Sequence, residues 1–581
     1  MWTSAGSRLA LFVLPATLAL LGAGCSGSDE DPDAAFVDTS ALPLKTPSSS
    51  CASLTGQGID AASIGLPTTG ATITAATVVA AAPETVGATS VTRALPEYCR
   101  ILGSIRPVDP AAPPINFQLN VPTQWNQKAI QVGGGGLNGS IPSNLAAIGA
   151  SGSPISGAYP PNAPYPLLSG YAMFGSDSGH QDPSTTATWA LNQEAWVNFG
   201  HAALKKTHDT AFAIIERLYG SRPRVSYFMG QSQGGREAME VAQRYPEDYD
   251  GVVATAPLIG YSAHVIHKTL LATVQTGSGW IPPAKQAAIG AEVLRQCDGL
   301  DGLTDGVINH YLGCGALFDP QRAAQPYAAI RCDGGADTGN TCVSDAQIAT
   351  LNQMHAPTRF GFELANGWSE FPGYGVGREA QGGWLNITPQ PTPSVQPALG
   401  QPGATVSYGI LKDPAFNLVN FSIAAFREQI VASSAIIDSL NTDLSRFFAR
   451  GGKLIVKVQG SDYASHPNTV MRWYDRVVAR SGQPTVDRYI RFYVLPNGDH
   501  GGTVQSLPAG TAEPQYIDLI GMSTDWVEKN VVPPDAPVVS TMERLPPFTV
   551  GATRPMCRYP AYPRYVAGDP KQAASYSCTT P

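Results

Sequence analysis

An α/β fold, with a mainly parallel sheet covered by helices, is what this chain of 581 residues predicts. Two observations carry it. Short β-rich runs recur at 71–82, 115–121, 129–133, 225–229, 251–255, 453–458 and 489–495, each followed by a Gly- or Asp-bearing turn. Between several of them, at 198–219 and 235–245, apolar residues take helical spacing, and this alternation is what a parallel sheet with flanking helices requires. A hydrophobic content of 43% against 14% charged residues supplies a large core and an added domain.

At the N-terminus a single positive charge, Arg8, precedes the apolar run 9–21, too short to span a bilayer as a mature helix, which predicts a signal peptide over 1–24 and an exported protein. Gly22, Ala23 and Gly24 before Cys25 resemble a bacterial lipobox with Leu21 one position early, which makes Cys25 the lipid-modified first mature residue. The Ser-, Asp- and Pro-rich stretch 25–50 then reads as a solvated tether. The expected location is an outer-membrane lipoprotein or the extracellular space, the alternative being cleavage into the periplasm. Beyond that lipid no membrane partner is expected, and the oligomeric state stays open. The net charge of −8, with no basic stripe, excludes nucleic acid as a partner.

Eight further cysteines form an even set, and their spacing predicts the disulfides Cys51–Cys99, Cys297–Cys314, Cys332–Cys342 and Cys557–Cys578. None has C-x-x-C metal spacing. From 259 to 442 the chain turns Pro- and Gly-rich and its apolar spacing becomes irregular, so this stretch is read as an inserted lid, with the catalytic domain at 51–258 and 443–581.

Gly230-Gln231-Ser232-Gln233-Gly234 lies between a predicted strand and a predicted helix, the context in which G-x-S-x-G forms the strained nucleophile elbow of an α/β-hydrolase fold. A serine hydroxyl needs a histidine to take its proton, and the histidine needs a carboxylate to fix its tautomer. In the chain order Ser, acid, His, Asp462 follows the strand at 453–458 and His500 follows the strand at 489–495. Asp499 is a rival acid beside the base, Asp475 is assigned to the next helix, and His466 to a loop or substrate site. The oxyanion hole takes one N–H from Gln233 and a second from Gly135 or Gly136, in the run Gly133 to Gly136. A phosphate loop is the competing reading of that run, but no Gly-Lys-Ser/Thr follows.

Asp298, Asp301 and Asp305 share one Gly-rich loop, which as spacing reads either as a Ca²⁺ loop or as a solvated acidic turn. Phe371, Trp384, Tyr408 and Phe416 are lid aromatics able to stack on a ring, with ordinary core as the alternative.

Trp125-Asn126, the run Ser176-Asp177-Ser178-Gly179-His180, Ser226-Tyr227-Phe228, Gly234-Gly235-Arg236 and Arg450-Gly-Gly-Lys-Leu-Ile together resemble the tannase and feruloyl esterase family over nearly everything after the tether. The resemblance implies a serine carboxylic-ester hydrolase acting on esters of aromatic acids of feruloyl or galloyl type through an acyl-enzyme. It also implies a structural Ca²⁺ held by Asp298, Asp301 and Asp305 with the carbonyls of Leu303 and Val307, and no organic cofactor. Two alternatives are cleavage of aliphatic or terephthalate-type esters and a non-catalytic ligand-binding lipoprotein. One departure is clear: family members carry cysteines beside the serine and the histidine, where this chain has Gln231 and Gly501. In the terephthalate-cleaving member, an arginine from the lid holds the substrate carboxylate. Here no arginine occurs between Arg378 and Arg427, and Lys412 reads as a surface turn, so neutral esters are expected.

Overall fold

Ten strands build one sheet in the computed structural model: β1 (Gly58–Ile59), β2 (Ala71–Val79), β3 (Tyr98–Ile105), β4 (Ile115–Pro122), β5 (Lys128–Val132), β6 (Ala172–Ser176), β7 (Val225–Gln231), β8 (Gly251–Thr255), β9 (Lys453–Gln459) and β10 (Ile490–Leu495). Their spatial order is β1-β2-β3-β4-β6-β5-β7-β8-β9-β10. The strands from β1 to β4 pair antiparallel, and β4 meets β6 antiparallel. From β6 onward every neighbour is parallel. The structure describes residues 38–39, 41–143, 145, 148–149, 159–275, 277–321, 325–380, 399–501 and 514–581.

The parallel half has the sequence signature of strands covered on both faces. All of Lys128–Val132, Ala172–Ser176, Gly251–Thr255 and Ile490–Leu495 is buried. The helices α1 (Ala203–Tyr219), α2 (Gln233–Arg244), α3 (Tyr261–Val274), α4 (Pro467–Ser481) and α5 (Leu519–Lys529) include the crossovers. α1 ends at Gly220, whose φ of 70° closes the helix in the left-handed region. Its N-terminal turn, Asn198–Ala202, is a π-turn where a plain helix was expected.

Three strands of the sheet escaped the sequence reading: the two-residue β1, and the longer β3 and β6. β3 carries Arg100 and Gly103 and lacks a clean alternation, and β6 is a short run, Ala-Met-Phe-Gly-Ser, poor in β-branched residues. β3 and β6 are made by pairing with neighbours rather than by their own propensity.

Between β8 and β9, which pair directly, the chain makes its largest excursion, over 256–452. That stretch contains α3, short helices and 3-10 turns, and it shares one apolar cluster with the sheet, in which Phe371, Leu418 and Ile430 join Phe228, Val252 and Leu454. The insertion is thus packed onto the sheet's core.

All four disulfides expected from the spacing are formed. Two lie within the insertion and one ties β3 to the N-terminal 3-10 turn. Such a set marks an exported protein. Among the described residues no helix is long and apolar enough to cross a membrane. The signal peptide, Cys25 and Trp384 lie outside the described residues.

Candidate active site

The elbow is built by β7 running into α2. Ser232 sits between them at φ 62°, ψ −119°, a region that costs a non-glycine residue on the order of 1–3 kcal/mol. Backbone bonds on both sides hold it there: its N–H donates to the Thr255 carbonyl at 3.0 Å, and its carbonyl accepts from Arg236 at 2.9 Å. The flanking glycines are required by close approach. A Cβ on Gly230 would lie 2.3 Å from the Gly234 carbonyl oxygen, and one on Gly234 would lie 2.7 Å from that of Gly134. The glycine-rich loop therefore abuts the start of α2, and the Gly234 N–H donates to the Gly134 carbonyl at 3.1 Å.

Asp462 and His500 follow β9 and β10. His500 Nδ1 lies 2.8 Å from Asp462 Oδ2, and His500 Nε2 lies 2.8 Å from Ser232 Oγ. With the proton on Nδ1, the imidazole donates to the carboxylate and accepts from the hydroxyl. Asp462 is buried; its other partners are the N–H groups of Ala464 and Ser465 and the Ser465 hydroxyl. Burial alone would raise the Asp462 carboxyl, but His500 and these donors hold it below the usual carboxylate range. Burial likewise disfavours the imidazolium of His500, yet the charge and hydrogen bond of Asp462 lift it above the ordinary imidazole value. Asp499, the rival acid, pairs instead with Arg378 at 3.4 Å, and Asp475 lies on α4. His466 is buried against His264 and Phe371.

At the positions where the family's cysteine pair would stand, Gln231 Nε2 donates to the His500 carbonyl at 2.9 Å. A hydrogen bond takes the place of the covalent brace.

Sequence reasoning missed the support beneath this loop. Glu237, buried on the first turns of α2, accepts from the Gly134 N–H at 3.0 Å, Asn138 Nδ2 at 2.6 Å and Gln233 Nε2 at 3.3 Å. Arg236, fully buried, donates to Gln233 Oε1 and to the carbonyls of Phe199, Gly200 and Ile437. The run 176–180 serves the same loop. Asn138 also donates to Ser178, and His180 Nε2 lies 2.7 Å from the Leu137 carbonyl while its ring stacks on Trp189 at 3.9 Å. Burial pulls His180 down to about 4, so this imidazole is neutral at ordinary pH.

Ser232 and His500 open onto a cavity of about 380 Å³ whose wall includes Gly136, Gln233, Leu258, Tyr261, Lys268 and Gln401. Of the two glycines left open by the sequence, Gly136 lines it; the Gly134 N–H is taken by Glu237. The three expected stacking aromatics among the described residues do not line it. Phe371 is 1% exposed and packs against His267, Tyr374 and His466. Tyr408 and Phe416 pack against the shared core, Phe416 edge-on to Phe426. These rings were read as pocket walls because aromatic content alone does not tell core from cavity. Lys412 is not a bare surface turn: its ammonium donates to the Ala190 carbonyl and lies 5.3 Å over the Trp196 ring.

In the acidic loop, the carboxylates of Asp298, Asp301 and Asp305 fold back onto the loop's own N–H groups, including those of Leu303 and Val307. Burial pushes Asp301 up to about 6 and raises Asp305 against the nearby Arg554 charge. Asn309 Oδ1 is buried there with no hydrogen-bond partner. This all-oxygen set, with Asp298 and Asp301 buried, Asp305 half-buried and one unsatisfied amide carbonyl, fits a hard cation. Among the described residues, the tightest group of ligand atoms is His208, Asp209 and Asp248, but Lys205 Nζ already bridges the two carboxylates at 2.8 and 2.9 Å.

A serine on a strand-to-helix elbow, with a histidine and a buried aspartate after two later strands of a mainly parallel sheet, defines an α/β-hydrolase. Residues 99–579 match the family model described as tannase and feruloyl esterase. An uncharacterized esterase of Agrobacterium fabrum is 35% identical over 91% of this chain and 92% of its own length. The mono(2-hydroxyethyl) terephthalate hydrolase of Piscinibacter sakaiensis is 29% identical over 87% of this chain and 89% of its own. Among solved structures, feruloyl esterase B from Aspergillus oryzae superposes with a TM-score of 0.70 at 22% identity, covering 91% of this chain and 100% of that one. The chain belongs to the tannase and feruloyl esterase family and is a carboxylic-ester hydrolase.

Proposed function

We propose that this esterase hydrolyses esters of aromatic acids through an acyl-enzyme on Ser232. The observation that carries it is the unbroken hydrogen-bond chain from Asp462 through His500 to a hydroxyl on a cavity wall. His500 Nε2 takes the proton as Ser232 Oγ bonds to the ester carbonyl carbon, and Asp462 stabilises the resulting imidazolium. The N–H groups of Gln233 and Gly136 receive the carbonyl oxygen as it becomes an oxyanion. The carbon–oxygen bond to the alcohol then breaks, and His500 returns the proton to the departing oxygen. Water repeats the sequence on the acyl-serine and releases the acid.

Feruloyl and terephthalate esters are the substrates for which the relatives are named, and the apolar walls of Leu258, Tyr261 and Val265 support acyl groups of that kind here. The insertion over 256–452 acts in this reading as a lid. Asp298, Asp301 and Asp305 with the carbonyls of Leu303 and Val307 hold a structural Ca²⁺, which neutralises carboxylates that burial otherwise penalises. A lipid on Cys25 tethers the exported enzyme.

The test is a screen against methyl ferulate, methyl gallate and nitrophenyl acetate, with fluorophosphonate labelling in parallel. Wild type should hydrolyse at least one aromatic-acid ester and be labelled. Ser232→Ala should lose both, about 10³-fold or more in kcat, with its melting temperature within a few degrees. A folded Ser232→Ala enzyme that still turns over would sink the assignment.

A further inference from the structure

The cavity wall contains one feature that ester chemistry does not require. Helix α3 turns Tyr261, His264, Val265 and Lys268 toward the cavity, positions whose spacing puts them on one helical face. Two of these are plain walls for an apolar acyl group. Lys268 brings an ammonium, partly exposed, to the same space as the Ser232 hydroxyl.

Its surroundings leave that charge incompletely answered. Asp462 attracts it, but the Asp462 carboxylate is already engaged by His500, Ser465 and Ala464. The other ionisable groups that feel the Lys268 charge are imidazoles: His264, His267, His466 and His500. Burial holds His264 and His466 well below the ordinary imidazole value, so they are neutral and add no anion. Among the described residues nothing accepts a hydrogen bond from the Lys268 ammonium. Interior cations elsewhere are served, Lys206 by Asn198 and Lys457 by the Gln515 carbonyl. Burial pulls Lys268 down to about 8, which leaves it charged at neutral pH. An ammonium partly withdrawn from water and lacking a protein acceptor is left for cavity solvent or a ligand anion to complete.

We infer that Lys268 binds a carboxylate carried by the ester substrate, so that the enzyme selects esters bearing a free acid. This rests on the Ser232 reading, and it replaces the expectation of neutral substrates, which considered only Lys412 and the arginines of the later insertion. Lysine gives a point charge rather than a bidentate fork, so the site reads charge with little demand on orientation. The acid can sit on the acyl or the alcohol side of the ester, and the experiment separates these.

The experiment measures kcat and KM for two matched pairs: monomethyl against dimethyl terephthalate, and 4-carboxyphenyl acetate against phenyl acetate. Wild type should favour the charged member of one pair, and that pair identifies the side. In Lys268→Met the charged-to-neutral ratio of kcat/KM should fall about tenfold or more, through KM, as for loss of a charge-assisted hydrogen bond. Lys268→Arg should keep the preference, and raising salt, or pH through about 8, should erode it in wild type. Each ratio is internal to one preparation, so partial misfolding cancels. Three results would overturn the inference: no preference in wild type that turns over the neutral esters, an equal loss for both members in Lys268→Met, or a preference indifferent to salt. Failure to turn over any of the four esters would defeat the Ser232 reading itself, and this inference with it.

Discussion

The two walls of the cavity are made by different means. Ser232, Asp462 and His500 follow β7, β9 and β10, three strands of one parallel ladder whose positions are fixed by backbone hydrogen bonds. The facing wall, with Tyr261, Lys268, Gln401 and Pro402, comes from the insertion, where short helices, 3-10 turns and two disulfides replace a ladder. Reacting atoms must be held within a few tenths of an ångström, whereas a wall that selects substrates needs only shape and charge. With Ser232 as the proposed nucleophile, the division would assign chemistry to the sheet and choice to the insertion. Changes after the strands should depress every substrate alike, and changes in the insertion should redistribute preference among substrates.

The sharpest way to break this division is at the acid. Asp462→Asn should reduce kcat by about 10⁴ by presenting the wrong histidine tautomer, whereas Asp499→Asn should cost only a few-fold, because Asp499 faces Arg378. Reversed severities would move the acid to Asp499. The pH profile tests the same pair. Activity requires neutral His500, and its lifted pKa means that the loss on acidification begins above the ordinary imidazole value of 6.5. A limb centred well below that value would mean that Asp462 does not act on His500 as described.

Gln231→Ala probes the brace. Losing one hydrogen bond to the His500 backbone should lower kcat by about five- to tenfold, equally for all esters. An unchanged kcat would mean that the loop after β10 needs no tie. The smallest effect belongs to the acidic loop: chelation should lower the melting temperature by about 2–5 °C while leaving the initial rate intact. A chelator that stops turnover at once, with no thermal shift, would put a metal at the reaction centre instead.

Legibility followed the same division. The elbow, Asp462 and His500 could be found because a strand end followed by a turn is written locally, in Gly230 to Gly234 and in the runs ending at Gln459 and Leu495. The four disulfides were readable because their partners are close in sequence. The insertion was visible only as a change of texture. Whether Phe371 faced a cavity or a core depended on His267 and His466, both distant in sequence, one on either side. Arg236 stood out only within a family motif and Glu237 not at all, since a charged residue on a helix reads as solvent-facing until its buried partners are known. Lys268 was passed over for the same reason.

The exchange of a cysteine pair for the Gln231 hydrogen bond leaves the reaction centre without an oxidation state. All eight described cysteines lie in bridges that close loops separate from Ser232, Asp462 and His500, and their sulfurs make no contact with these three side chains. Thiols and oxidants can therefore change how long the folded enzyme lasts, but in the folded molecule they have no covalent bond at the triad to act on.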